Sequence, residues 1–222
     1  MCLPIVSPAR GAVKRRLVRG MPAHRDDASE ASSPPGSGVP EDMSRPKLFA
    51  VCLGGRAPGA RVELHDVAFA AGAALADCHE QLLDAWFGDP DGLHVDAFAW
   101  LDTVDGHRVE LRREAGRGPR LYFVNIGGYE PGEFGERHAW SFYVGGDKAA
   151  VKARARRELL VGRTSVHRDD LHDVDDVIAV DAGGGWHVHL TPDPSAGRPE
   201  IVNGYFPLPR ATIEAWKARR AS

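Results

Sequence analysis

The sequence predicts an α+β protein of two tandem strand-strand-helix-strand-strand repeats, mainly antiparallel in its sheets and pseudo-twofold symmetric. Three observations point there. Residues 47–72 return without a gap at 120–145 with ten of twenty-six positions identical, among them Gly54/Gly127, Gly55/Gly128, Pro58/Pro131, Glu63/Glu136, His65/His138 and Phe69/Phe142. Each copy opens with two β-rich apolar runs around a Gly/Pro connection, which reads as an antiparallel pair. Each then continues through a helical period into further strand-like runs. A unit of about 70 residues buries too little surface to be stable alone. The copies are therefore expected to share a core, and a site between them would receive each repeated group twice.

Taken in order, residues 1–42 carry no periodic apolar pattern, and Asp26 to Asp42 is rich in Ser, Pro, Gly and acids. Such a segment cannot offset its ordering entropy and is expected to be a disordered extension. Met43 stands just before the first strand, so translation from Met43 is an alternative to Met1. Repeat 1 is assigned to 47–114. Leu48 to Leu53 reads as a buried strand, Gly54 to Gly59 as the connection, and Val62 to Ala71 as the second strand. Leu75, Cys78, Leu82, Leu83 and Trp86 recur at helical spacing opposite Asp77, Glu80 and Asp84, and Gly88 with Pro90 ends that element. Phe98 to Val104 and Arg108 to Leu111 read as a hairpin turned by Asp105-Gly106. Repeat 2, assigned to 120–193, follows the same order. Asp147 caps a helix over Lys148 to Val161, strands lie near Val177 to Val180 and Trp186 to Leu190, and Gly183-Gly184-Gly185 replaces the Asp-Gly turn. Residues 194–222 read as an irregular arm with a short helix over Thr212 to Arg219.

A net charge of -3, with acids and bases interspersed, lacks the basic excess of a nucleic-acid or membrane-surface binder. No apolar run reaches the roughly 20 residues that span a bilayer. The basic residues between Arg10 and Arg25 follow the short apolar stretch, the wrong order for a secretory signal. Cys2, Cys52 and Cys78 are too few for a disulfide framework or a thiolate zinc site, and are expected to be reduced thiols in a cytoplasmic protein.

Glu63-x-His65 and Glu136-x-His138 lead the candidate site residues. Alternation along a strand puts residues two apart on one face, where a carboxylate and an imidazole can share a proton or a ligand. The four together offer ligands to a divalent metal such as zinc, manganese or iron(II). The competing reading is structural, each histidine hydrogen-bonding its neighbourhood to lock a hairpin. Gly54-Gly55 and Gly127-Gly128 permit positive φ or a close backbone approach, either as turn chemistry or as a cradle for an anion. His94-x-Asp96 and His167-x-Asp169 align at the same offset of 73 residues, the second continuing into Asp170, His172, Asp173, Asp175 and Asp176. His187-x-His189 occurs only in the second repeat, and that repeat's helix is basic where the first is acidic. There is no nucleophile elbow, and Cys52 and Cys78 align with Asn125 and Val151, so nucleophilic catalysis has no support.

The string Lys47-Leu48-Phe49-Ala50-Val51-x-Leu53-Gly54-Gly55-Arg56-x-Pro58-x-Ala60-x-x-Glu63-Leu64-His65-Asp66-Val67-x-Phe69 resembles a bacterial family of uncharacterised proteins, domain of unknown function 1543. Leu121 to Asn125 with Gly127-Gly128-Tyr129, and His167-x-Asp169-Asp170-Leu171, are similar to it too. The resemblance covers about residues 47–205. It implies one or two domain copies and no catalytic residue. Two function classes follow from the sequence: a duplicated binding or structural module with a site between the halves, for a small molecule or a second copy, and a metal-dependent enzyme using the Glu-x-His pairs of both repeats.

Overall fold

The computed structural model describes residues 45–128, 132–159, 174–180 and 182–222. Its first repeat begins with β1 (Lys47–Arg56) and β2 (Leu64–Gly72), paired antiparallel so that Gly54 faces His65. A 3-10 turn (Leu75–Cys78) leads into α1 (His79–Ala85), followed by β3 (Asp89–Trp100), β4 (Thr103–Val104) and β5 (His107–Arg112). The second repeat runs β6 (Arg120–Gly128), β7 (Arg137–Gly145), α2 (Lys148–Leu159), β8 (Val174–Ala179) and β9 (His187–Pro192). β10 (Ile201–Pro207) and α3 (Arg210–Arg220) close the chain. The sheets are antiparallel throughout the described pairings, with orders β10-β3-β1-β2, β7-β6-β8 and β4-β5-β9.

Central strands β1 and β6 are apolar on both faces because each face meets a different core. Phe49, Val51 and Leu53 turn with Ala68 and Ala70 towards α1 and towards Ile213 of α3. Leu48 and Ala50 turn the other way and join Val104, Val109, Leu121 and Ala182 in a core shared by the repeats. Tyr122, Val124 and Ile126 of β6 pack on Val151 and Ala155 of α2. At the shared core the equivalent residues Phe69 and Phe142 meet edge-to-face, with ring centroids 6.4 Å apart, and Phe123 lies against both.

The third sheet ties the halves together. β5 and β9, equivalent in the repeat order, pair with His107 opposite Pro192 and Arg112 opposite His187. Such pairing is self-complementary, as at an isologous interface. The β4–β5 hairpin turns at Asp105 (φ 51°) and Gly106 (φ 71°), left-handed as a two-residue primed turn requires. The Asp105 carboxylate then reaches the other repeat, accepting from the Val144 N–H at 2.8 Å and from Arg154 of α2 at 2.6 and 2.5 Å. On the first repeat's side Gln81 of α1 clasps both the N–H and the C=O of Ala71, the residue equivalent to Val144. Asp147 caps α2 through the Ala150 N–H at 2.8 Å.

Two elements differ from expectation. Pro90 reads as a helix terminator, yet it lies inside β3, whose first residues make little pairing beyond Arg56 with Asp89. The C-terminal arm is not wholly irregular, because β10 adds to the first sheet by pairing with β3. Its prolines stand outside the strand or at its last position, where no ladder donor is needed. His167 and Asp169, with Asp170, His172 and Asp173, lie outside the described residues.

Candidate functional site

Gly54 has His65 of β2 opposite it on one side and His94 of β3 opposite it on the other. The glycine leaves the space between two imidazoles that any side chain would fill. A Cβ at Gly54 would lie 2.4 Å from His94 Nε2 and 2.7 Å from Asp96 Oδ2. Gly55 is needed for another close approach, its Cβ position being 2.8 Å from the Trp86 ring. Neither requires positive φ, which falls on Gly59 (85°) and Gly132 (84°) at the loop tips, so Gly54-Gly55 acts by proximity and not as an anion-cradling turn.

Asp96 is brought in by a β-bulge. Cys52 pairs with Ala97 and Leu53 with Val95, so Asp96 is skipped by β1. On the other side Asn203 pairs with Ala97 and Phe206 with Val95, leaving Gly204 and Tyr205 opposite that one aspartate. Bulges re-aim side chains in this way and gather next to functional sites.

The result is a four-residue cluster. His94 Nε2 lies 3.4 Å from Glu63 Oε1 and 3.3 Å from Asp96 Oδ1. His65 Nε2 lies 3.5 Å from Glu63 Oε1 and 3.0 Å from Asp96 Oδ2. Among the described residues, Glu63, His94 and Asp96 form a group whose ligand atoms all fall within 4.8 Å of one another. His94 is buried, 2% exposed. Its Nδ1 is 3.0 Å from the Gly92 carbonyl, which can only accept, so Nδ1 carries a proton and Nε2 is turned to the carboxylates. Asp96 Oδ2 is buried without a hydrogen-bond partner, since His65, though near, is not aligned to donate to it. The Tyr205 ring lies against His94, with centroids 4.5 Å apart.

The second repeat repeats part of this. Gly127 faces His138 as Gly54 faces His65, and His138 Nε2 is 3.5 Å from Glu136 Oε2. His138 Nδ1 lies 3.2 Å from Asn125 Oδ1. Gly128 faces Arg137. The register corrects the sequence alignment of the third strand. Ile126 pairs with Val174 and Asn125 with Asp176, so the bulged place of Asp96 falls to Asp175 and not to Asp169. His187 and His189 lie on β9 in the linking sheet, where His189 Nε2 is 2.8 Å from the Glu114 carbonyl.

In the sequence His94-x-Asp96 and Glu63-x-His65 stand as separate motifs. The signal that joins them is Gly54: a residue without a side chain, flanked by histidines on both neighbouring strands. Tyr205 carried no sequence signal.

Fold and site together define a tandemly duplicated α+β module with a histidine and carboxylate cluster on the first copy's sheet. The chain belongs to the family Domain of Unknown Function (DUF1543), whose model matches residues 60–111 and 133–183. The crystal structure of a protein Il1583 from Idiomarina loihiensis is similar at 35% identity, covering 74% of this chain and 99% of that one with a TM-score of 0.59. No curated protein matches. Among the described residues no helix is long and apolar enough to cross a membrane.

Proposed function

We propose that the chain is a duplicated binding module whose first repeat holds a divalent transition-metal ion on Glu63, His94 and Asp96. The observation that carries this is the orphaned, buried Asp96 Oδ2 beside an imidazole committed at its other nitrogen. A buried acceptor without a partner costs about 1–3 kcal/mol, and a cation among these groups supplies the partner. His94 Nδ1–H on the Gly92 carbonyl is the outer-shell bond that metal-bound histidines commonly make. The separations of 3.4 Å from His94 Nε2 to Glu63 Oε1 and 3.3 Å to Asp96 Oδ1, the other oxygen of the carboxylate that carries the orphaned Oδ2, match what bonds of about 2.0–2.2 Å to one ion give. One nitrogen and two carboxylates suit zinc, manganese or iron(II). In this reading Glu136 and His138 take no share in the ion.

Elemental analysis of the full chain, purified without a histidine tag, tests the proposal beside His94→Ala. Stoichiometric metal that disappears in the variant is the expected result. A chain that stays metal-free after incubation with each ion overturns it.

One observation favours a second reading, a metal-dependent enzyme. Three protein ligands leave an open position, as in catalytic rather than structural zinc sites, and His65 lies beside the ligand set, 3.0 Å from Asp96. A proton-transfer group belongs at that place. Under this reading His65→Ala retains the metal and loses a hydrolytic turnover that the loaded wild type shows on an ester panel.

A further inference from the structure

We propose that Tyr205 is a positioning residue for the metal ligand His94, supplied by the C-terminal strand from outside the two duplicated units. The inference rests on the metal-site reading above and adds to it a residue beyond both family-matched segments, which end at 111 and 183.

The geometry has three parts. β10 pairs with β3 on either side of Asp96, and its extra residue falls there, so Gly204-Tyr205 faces the bulge that carries the aspartate. The Phe206 ring lies over Gly204, 2.8 Å from its Cβ position, and packs against Phe98. Tyr205 is left against the His94 ring at 4.5 Å between centroids, the two planes tilted by 46°, although the tyrosine itself is 68% exposed. A tyrosine that spends its ring on one buried imidazole, while most of its surface stays in water, contributes little to the core. Its effect falls on the histidine. Gly92 fixes one edge of that ring through Nδ1 and the tilted Tyr205 ring packs against it, so the freedom of Nε2 to swing is reduced. Hydrogen-bonded outer-shell partners are worth about 10–100-fold in metal affinity, and a ring that restrains the same imidazole is expected at the low end of that range.

The test uses the full chain loaded with cobalt(II), whose visible absorption reports ligand geometry, and measures the rate of cobalt loss to excess chelator. Tyr205→Ala is expected to lose the ion at least tenfold faster and to shift the visible band, while Tyr205→Phe, which keeps the ring, matches wild type. Val202→Ala, on the same strand, controls for strand docking and is expected to leave rate and spectrum unchanged. If wild type binds cobalt and Tyr205→Ala behaves like it, the positioning role is overturned and the metal site stands. A Tyr205→Phe variant that behaves like Tyr205→Ala also overturns it, because the hydroxyl and not the ring would then act. A Val202→Ala effect as large as that of Tyr205→Ala overturns it as general loosening of β10. Wild type that takes up no cobalt overturns both readings.

Discussion

Gly54→Ala is the sharpest perturbation of the site, because it adds one methyl group and no charge. The new Cβ would sit 2.4 Å from His94 Nε2 and 2.7 Å from Asp96 Oδ2. Ordinary contact needs about 3.4 Å or more, so the imidazole must retreat by about 1 Å. A metal bond tolerates about 0.2 Å, and a ligand moved by several times that no longer binds. The expected loss of zinc affinity is about 100-fold or more, or about 2.8 kcal/mol at 1.4 kcal/mol per tenfold. The assay is thermal melting with and without zinc at about 100 times the wild-type Kd, where linkage stabilises wild type by about 2.7 kcal/mol and a variant weakened 100-fold by about 0.4 kcal/mol. Gly55→Ala is the control: its Cβ meets Trp86 at 2.8 Å, so overpacking lowers stability by about 1–3 kcal/mol and leaves the zinc-linked gain intact. An undiminished zinc-linked gain in Gly54→Ala would refute the reasoning.

Three further outcomes are expected. His138→Ala leaves the metal content of the first-repeat site unchanged where His94→Ala removes it, and equal loss in both variants would mean a site shared between repeats. Asp105→Asn loses a charge-assisted link between the repeats and about 1–3 kcal/mol in urea unfolding at pH 7. Burial alone would raise the Asp105 carboxyl, but the bonds from Arg154 and the Val144 N–H outweigh it and hold it below the ordinary value. A group depressed in the folded state contributes above its unfolded pKa of about 3.9 and loses that contribution as pH falls through the folded value. The advantage of wild type over Asp105→Asn should therefore be flat from about pH 7 to 5 and shrink below about 4. The Cys78 thiol, pushed up to about 12 by burial and then by the charge of Asp77, should resist iodoacetamide at pH 8 in the native protein and react on unfolding, read by peptide mass spectrometry.

Local signals made much of the fold legible. The Asp105-Gly106 turn, the Asp147 cap and the two hairpins follow from residues close in sequence, and their register sets His65 opposite Gly54. What was not legible is long-range. Nothing near Pro90 says that the strand beyond it returns to the far side of β1, so His94 could not be set against Gly54 from spacing alone. β10 is harder still, since its pairing with β3 joins residues about a hundred positions apart and its sequence alternates weakly. An insertion in one copy also defeats ungapped comparison. The longer connection before the third strand of the second repeat shifts that strand by six positions beyond the offset of 73, which pairs Asp96 with Asp175.

That shared bulge bears on what the duplication does. Both copies skip one aspartate at the same register, beside a glycine faced by a Glu-x-His strand, so the bulge and its aspartate are built into the repeat itself. The surroundings then diverge. His138, the counterpart of His65, meets the Asn125 side chain from the central strand, at the position where the first repeat has apolar Cys52. β3 is covered by β10, and Tyr205 comes with it. Exchanging the central-strand residues is therefore informative. Cys52→Asn places an amide two residues from Gly54, on the strand face that looks into the cluster, and offers the His65 ring the partner that His138 has in the second repeat.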